Sequence, residues 1–124
     1  MKLKVLCIDD SRAVHAFLKD CLKDILLEFT SAYDGEEGLS YLSSADHVFD
    51  CVFLDWEMPK KTGPEVLKEA KTLGCKIPII MLTSKNQIQD ISTMLGEGAS
   101  EYIMKPFTKD IIIERLKMLL GVTK

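Results

Sequence analysis

What this chain is short of narrows its class before any motif is read. Its four cysteines, Cys7, Cys21, Cys51 and Cys75, form no CxxC pair and show no metal-ligand spacing. That excludes a zinc module, and with Cys7 and Cys51 inside apolar runs it favours buried, reduced thiols over a disulfide framework. There are only two histidines. His47 carries no signal, and His15, on the helix behind an acidic pair, reads as an ordinary surface residue without a role. Basic charge is not in excess: 16 Lys and Arg against 19 Asp and Glu give a net charge of −3, so no strongly basic nucleic-acid surface is expected. The first apolar run stops at Asp9, too short for a signal peptide or a membrane span, and a cytoplasmic protein without membrane insertion is expected. Repeats, linkers and low-complexity stretches are missing too. A length of 124 residues with 47% hydrophobic composition then suits one domain, 1–124, with one core and no separate output domain.

What is present is a set of short apolar runs with chemistry at their ends. Leu3–Ile8 is followed by Asp9 and Asp10, the run from Cys51 to Leu54 by Asp55, the run from Ile77 to Leu82 by Thr83 and Ser84, and the run ending at Met104 by Lys105 and Pro106. Aliphatic and β-branched runs of this length read as strands buried on both faces of a parallel sheet. Helix-length segments separate them, the pattern of right-handed βαβ crossovers. The expected elements are strands 3–8, 27–31, 50–54, 77–82 and 100–104, alternating with helices 11–25, 35–44, 63–72, 87–96 and 108–120. Ser11, Thr62 and Thr108 are expected N-caps, and Asp34-Gly35, Met58-Pro59 through Thr62-Gly63-Pro64, Leu73-Gly74 and Glu97-Gly98 mark loops.

Parallel sheets bind ligands just beyond the carboxyl ends of their strands. If the four runs are neighbours, Asp9, Asp10, Asp55, Thr83 and Lys105 meet in one crevice. Three carboxylates pressed together resist joint ionisation, so a cation is the natural thing to hold between them. Magnesium is therefore expected, with manganese tolerated, and the Thr83 hydroxyl and Lys105 ammonium beside it point to a phosphoryl group. Each residue has a plainer reading: Asp9-Asp10 as partners of a helix dipole, Asp55 as a turn former, Thr83 as a helix cap, Lys105 as a solvated lysine, Tyr102 as a core aromatic. All of these coinciding at matching strand ends is the weaker explanation.

Asp9-Asp10-Ser11-Arg12, Asp55 with Met58-Pro59 and Gly63 downstream, Thr83-Ser84, Gly98-Ala99, Tyr102 and Lys105-Pro106-Phe107 together resemble the receiver domains of two-component response regulators. The resemblance spans nearly the whole chain and is closest to the single-domain, chemotaxis-type (CheY-like) members. It implies a flavodoxin-like (βα)5 three-layer α/β sandwich with strand order 2-1-3-4-5. It also implies that Asp55 accepts a phosphoryl group from a histidine kinase, a phosphotransfer protein or a small phosphodonor. Magnesium would be held by Asp10, Asp55 and the Glu57 backbone carbonyl, with Asp9 acting largely through water; Thr83 and Lys105 would hold phosphoryl oxygens. A cis Lys105-Pro106 bond would aim that lysine. Thr83 and Tyr102 would form the switch, with Tyr102 filling the space freed when the Thr83 loop moves inward. The protein would be no enzyme beyond its own phosphorylation and dephosphorylation, a monomer with a phosphorylation-dependent dimer open to it, acting on a downstream protein such as a motor or enzyme component.

Two rival classes share parts of this pattern. A haloacid-dehalogenase-type phosphatase uses a strand-end Asp but needs a second Asp two residues on, where this chain has Glu57. A flavodoxin-like flavin module needs a Ser, Thr and Gly loop after the first strand, where Asp9-Asp10 would repel a phosphate. Glu57 and Lys85, two residues after Asp55 and Thr83, have opposite charge, and a salt bridge across the pocket mouth is expected to tune the lifetime of the acyl phosphate. In the last helix, Ile112, Ile113, Leu116, Leu119 and Leu120 fall within ~60° of Leu116 and form the core face. Ile111 and Met118 lie about 140° and 160° away, with Arg115 and Val122 nearby. With the family's usual docking face formed by the fourth helix, fifth strand and fifth helix, Ile111, Arg115 and Met118 are the expected partner surface.

Overall fold

Ten elements alternate along the chain in the computed structural model, which describes residues 2–44, 48–84 and 87–121. They are β1 (Leu3–Ile8), α1 (Arg12–Leu22), β2 (Leu26–Ala32), α2 (Gly35–Ser43), β3 (Cys51–Asp55), α3 (Gly63–Thr72), β4 (Ile79–Thr83), α4 (Ile88–Gly96), β5 (Glu101–Met104) and α5 (Lys109–Leu120). The five strands form one sheet in the order β2-β1-β3-β4-β5, and every neighbouring pair is parallel. This is the flavodoxin-like sandwich and strand order that the resemblance implied.

The sheet divides the core by strict alternation, since successive strand residues point to opposite faces. Leu6, Ile8, Val52, Leu54, Ile79 and Met81 face one way and meet Val66, Leu67 and Ala70 of α3 and Met94 of α4. Val5, Cys7, Cys51, Phe53, Ile80 and Leu82 face the other way and meet Leu18 and Leu22 of α1 and Ile112 and Leu116 of α5. Every residue of β3 and β4 is buried, which is why both read as unbroken apolar runs. Cys7, Cys21 and Cys51 are buried and Cys75 is half-buried, all four as free thiols. Burial pushes the Cys51 thiol up to about 12 and the Cys7 thiol well above its ordinary value, so neither is a ready nucleophile.

Two boundaries differ from expectation by more than one residue, each for a local reason. The fourth strand starts at Ile79, because Pro78 has no N–H to give and contributes only its carbonyl, which accepts from the Val52 N–H at 2.9 Å. Helix α1 stops at Leu22: the Ile25 N–H turns back to the Leu22 carbonyl at 2.8 Å, and the Ile25 carbonyl accepts from Leu3. Four helices carry a side-chain N-cap, from Ser11, Asp34, Thr62 and Thr108, the third being a full capping box with Glu65. Helix α4 begins at Ile88 with Gln87 at the N-cap position and, among the described residues, no side-chain cap, so Thr83 does not cap it.

Candidate functional site

The carboxyl ends of β1, β3, β4 and β5 bring Asp9, Asp10, Asp55, Thr83 and Lys105 to one place. Asp9, Asp10 and Asp55 each offer a carboxylate oxygen, and the three atoms lie within 4.8 Å of one another. Asp9 is wholly buried, Asp55 nearly so, and Asp10 is exposed. The Asp9 carboxylate is already engaged: Oδ1 accepts from the Ser11 N–H at 2.8 Å, and Oδ2 from Lys105 Nζ at 3.1 Å. The same ammonium donates to Asp55 Oδ1 at 2.9 Å. Lys105 is thus the bridge between the first and third strands, and it follows β5 into a cis Lys105-Pro106 bond, as the resemblance implied.

Removal from water raises the Asp55 carboxyl to about 6, and the charges of Asp9 and Asp10 add to the rise while Lys105 opposes it. For Lys105, burial works to lower the ammonium; the hydrogen bond to Asp55 and the two carboxylate charges outweigh it, leaving the group above the ordinary lysine value. The site is a crowd of anions sharing one internal cation, which fits a divalent ion and fits poorly to a phosphate of a bound flavin. Gly63 is required beneath it: a Cβ there would strike the Asp55 carbonyl oxygen and the Trp56 backbone, while the Gly63 N–H itself donates to the Trp56 carbonyl at 2.7 Å.

Thr83 ends β4 buried, and its carbonyl accepts from the Lys105 N–H at 2.8 Å. Tyr102 stands opposite Met81 on β5. Its ring packs on the α3 side of the sheet, and its hydroxyl is buried with no hydrogen-bond partner among the described residues. Glu57 is exposed in the loop leaving β3. Lys85, its expected partner, lies outside the described residues, as do His47 and Val122.

On α5, Ile111 and Met118 are exposed, at 37% and 69%, while Ile112 and Leu116 are buried. Arg115 also braces the chain internally: its guanidinium donates to Glu101 Oε1 at 2.8 Å and to the Tyr102 carbonyl at 3.2 Å, linking α5 to β5. Ile88 and Leu95 of α4 and Met104 of β5 are also exposed apolar residues.

Sequence reasoning misjudged His15. It is 4% exposed, with Nε2 2.7 Å from the Asp9 carbonyl oxygen and Nδ1 2.8 Å from Ser31 Oγ. Its spacing from Leu18 and Leu22, at i+3 and i+7, was the available signal for an inward face. Also missed was an apolar groove of about 520 Å³ beside Lys105, lined by Ala13, Val14, Phe17, Ser84, Pro106 and Phe107, with the two phenylalanine rings 5.6 Å apart. Those rings come from α1 and the loop before α5, ninety residues apart in sequence.

Comparison with known proteins adds to this geometry. The transcriptional regulatory protein DltR of Streptococcus agalactiae is 34% identical over 116 residues, 94% of this chain and 51% of that protein. Response regulator MprA of Mycobacterium bovis is 32% identical over 124 residues, all of this chain and 53% of that protein. The chain therefore spans about half the length of these curated relatives. Among solved structures, the receiver domain of Francisella response regulator 1452 superposes with a TM-score of 0.88 at 29% identity, covering 98% of this chain and 99% of that one. Vibrio cholerae chemotaxis protein CheY4 gives a TM-score of 0.84 at 28% identity, covering 96% and 99%. A family model described as the response regulator receiver domain matches residues 5–117, and the chain belongs to that family.

Proposed function

We propose that this receiver domain is a magnesium-dependent phosphoryl switch with Asp55 as the acceptor. The observation that carries the reading is the cluster of three carboxylates within 4.8 Å with Lys105 bridging two of them. An Asp55 oxygen attacks phosphorus; the new O–P bond forms as the bond to the donor breaks, leaving an acyl phosphate. Magnesium held by Asp10, Asp55 and the Glu57 carbonyl, with Asp9 reached through water, would supply charge neutralisation. Asp9 suits the indirect place because both its oxygens already accept hydrogen bonds. Lys105 pairs with one phosphoryl oxygen, and Thr83 donates to another. Beyond this self-directed chemistry the domain acts on no substrate.

The histidine kinase partner that membership in the family implies docks, in this reading, on the apolar groove beside Lys105, which opens next to the acceptor. The output face is Ile88, Leu95, Met104, Ile111 and Met118. Thr83 and Tyr102 couple the two. A chemotaxis-type role is supported by the likeness to CheY4 over 99% of that chain, and a protein target, not DNA, suits an apolar face on a domain of net charge −3. No helix among the described residues is long and apolar enough to cross a membrane, which accords with work in the cytoplasm. Intact mass after incubation with acetyl phosphate tests the core of the reading. Wild type should gain one phosphoryl group in magnesium and none in EDTA, and equal labelling of Asp55→Asn would overturn the assignment.

A further inference from the structure

His15 lies outside the set of ligands and is nonetheless built into the site. A carbonyl oxygen only accepts, so the contact with Asp9 requires the proton on Nε2; in the uncharged ring this leaves Nδ1 to accept from the Ser31 hydroxyl. One side chain on α1 thereby ties the loop after β1 to the end of β2. The Tyr33 ring lies against the imidazole with centroids 4.5 Å apart, Phe29 meets it edge-on at 6.3 Å, and the Arg12 guanidinium covers Tyr33 at 4.4 Å from the ring centroid. The bond to the Asp9 carbonyl is buried, as are both residues that make it, and a hydrogen bond removed from water is strengthened.

The Asp9 carbonyl belongs to the planar peptide unit whose other end is the Asp10 nitrogen. Holding that oxygen fixes the plane, and with it the direction in which Asp10 leaves the main chain. The Asp10 side chain is exposed, so its aim comes from the backbone and not from packing around the carboxylate.

We propose that His15 is a positioning residue for the acidic loop: by holding the Asp9 carbonyl it orients the Asp9-Asp10 peptide so that the Asp10 carboxylate faces Asp55. This rests on the magnesium reading of the site. Residues that orient metal ligands from behind typically change affinity by about 10- to 100-fold when removed.

The test titrates magnesium alone into the full chain, reading Trp56 fluorescence, for wild type, His15→Gln and His15→Met. Glutamine can present an amide N–H near the position of Nε2; methionine has similar bulk and no donor. His15→Gln should bind within about 3-fold of wild type and His15→Met about 10-fold more weakly, while their thermal midpoints in EDTA stay close to each other. A wild type with no saturable response would sink the magnesium reading, and this inference with it. A wild type that binds, with the two variants equal to each other, would sink this inference alone. Should His15→Met fail to fold, long-range proton–nitrogen spectra of wild type decide: the Nε2–H tautomer is expected, and the Nδ1–H tautomer refutes the contact.

Discussion

The two sides of the crevice are built to opposite standards. On the β1 side the Asp9 carboxylate is held by Ser11 and Lys105, its carbonyl by His15, and α1 by the Ser11 cap, with only the Asp10 carboxylate left open to solvent. On the β4–β5 side, among the described residues, α4 has no side-chain cap and buries only Met94, and the buried Tyr102 hydroxyl has no hydrogen-bond partner. Secure hydrogen bonding costs freedom and gives a fixed geometry; unsatisfied groups leave alternative arrangements close in free energy. One side is suited to hold a reacting group still and the other to respond to it.

The held side should fail most severely when its shared cation is removed. Lys105→Met leaves Asp9 and Asp55 facing each other without a counter-charge. A loss of about 3 kcal/mol is expected at pH 8 from urea unfolding in EDTA, part of it recovered in magnesium. A loss under about 1 kcal/mol would mean that the clamp is not where the stability lies.

Asp55→Asn acts in the opposite direction and depends on pH. The folded carboxyl titrates at about 6 against an ordinary 3.8, so the folded state binds the proton more tightly than the unfolded chain. That contribution is complete below about pH 4 and is lost as pH rises through 6. Without metal, Asp55→Asn should therefore be more stable than wild type by up to about 3 kcal/mol at pH 8 and by almost nothing at pH 4. A difference independent of pH would refute the crowding of charge at this position.

Helix capping sharpens the contrast at smaller scale. Thr108→Ala removes a cap that receives the Ile111 N–H at 3.3 Å and should cost about 1 kcal/mol, whereas Gln87→Ala should change stability by less than about 0.5 kcal/mol. Equal losses in thermal melts would place α4 on the same footing as its neighbours. The smallest effect belongs to Tyr102→Phe, which deletes a hydroxyl with no hydrogen-bond partner among the described residues and should stabilise by about 0.5 kcal/mol. A clear destabilisation would show that the hydroxyl has a partner in solution.

The legible parts of this molecule were those in which one segment decides its own fate. β3 and β4 declared themselves because burial on both faces leaves a continuous apolar run, β1 because only Lys4 interrupts one, and Asp9, Asp10 and Asp55 because they stand at the ends of such runs, with Lys105 just beyond β5. Asp34 was read as part of a turn, although the same side chain caps α2 by accepting from the Glu37 N–H at 2.8 Å. What spacing could not show are meetings between distant segments: His15 with Ser31, Phe17 with Phe107, Arg115 with Glu101. The last of these gives the expected docking residue Arg115 an internal bond to the neighbouring strand as well.

That support has a mechanical corollary. The main chain of Tyr102 is fixed on one side by the ladder to β4 and gripped on the other by Arg115 at its carbonyl. The strand cannot slide without breaking both, so what remains to this residue is torsion about its own side-chain bonds. If Tyr102 serves as the proposed switch, its response would be the swing of one ring through a still backbone, discrete in its positions because rotamers are discrete.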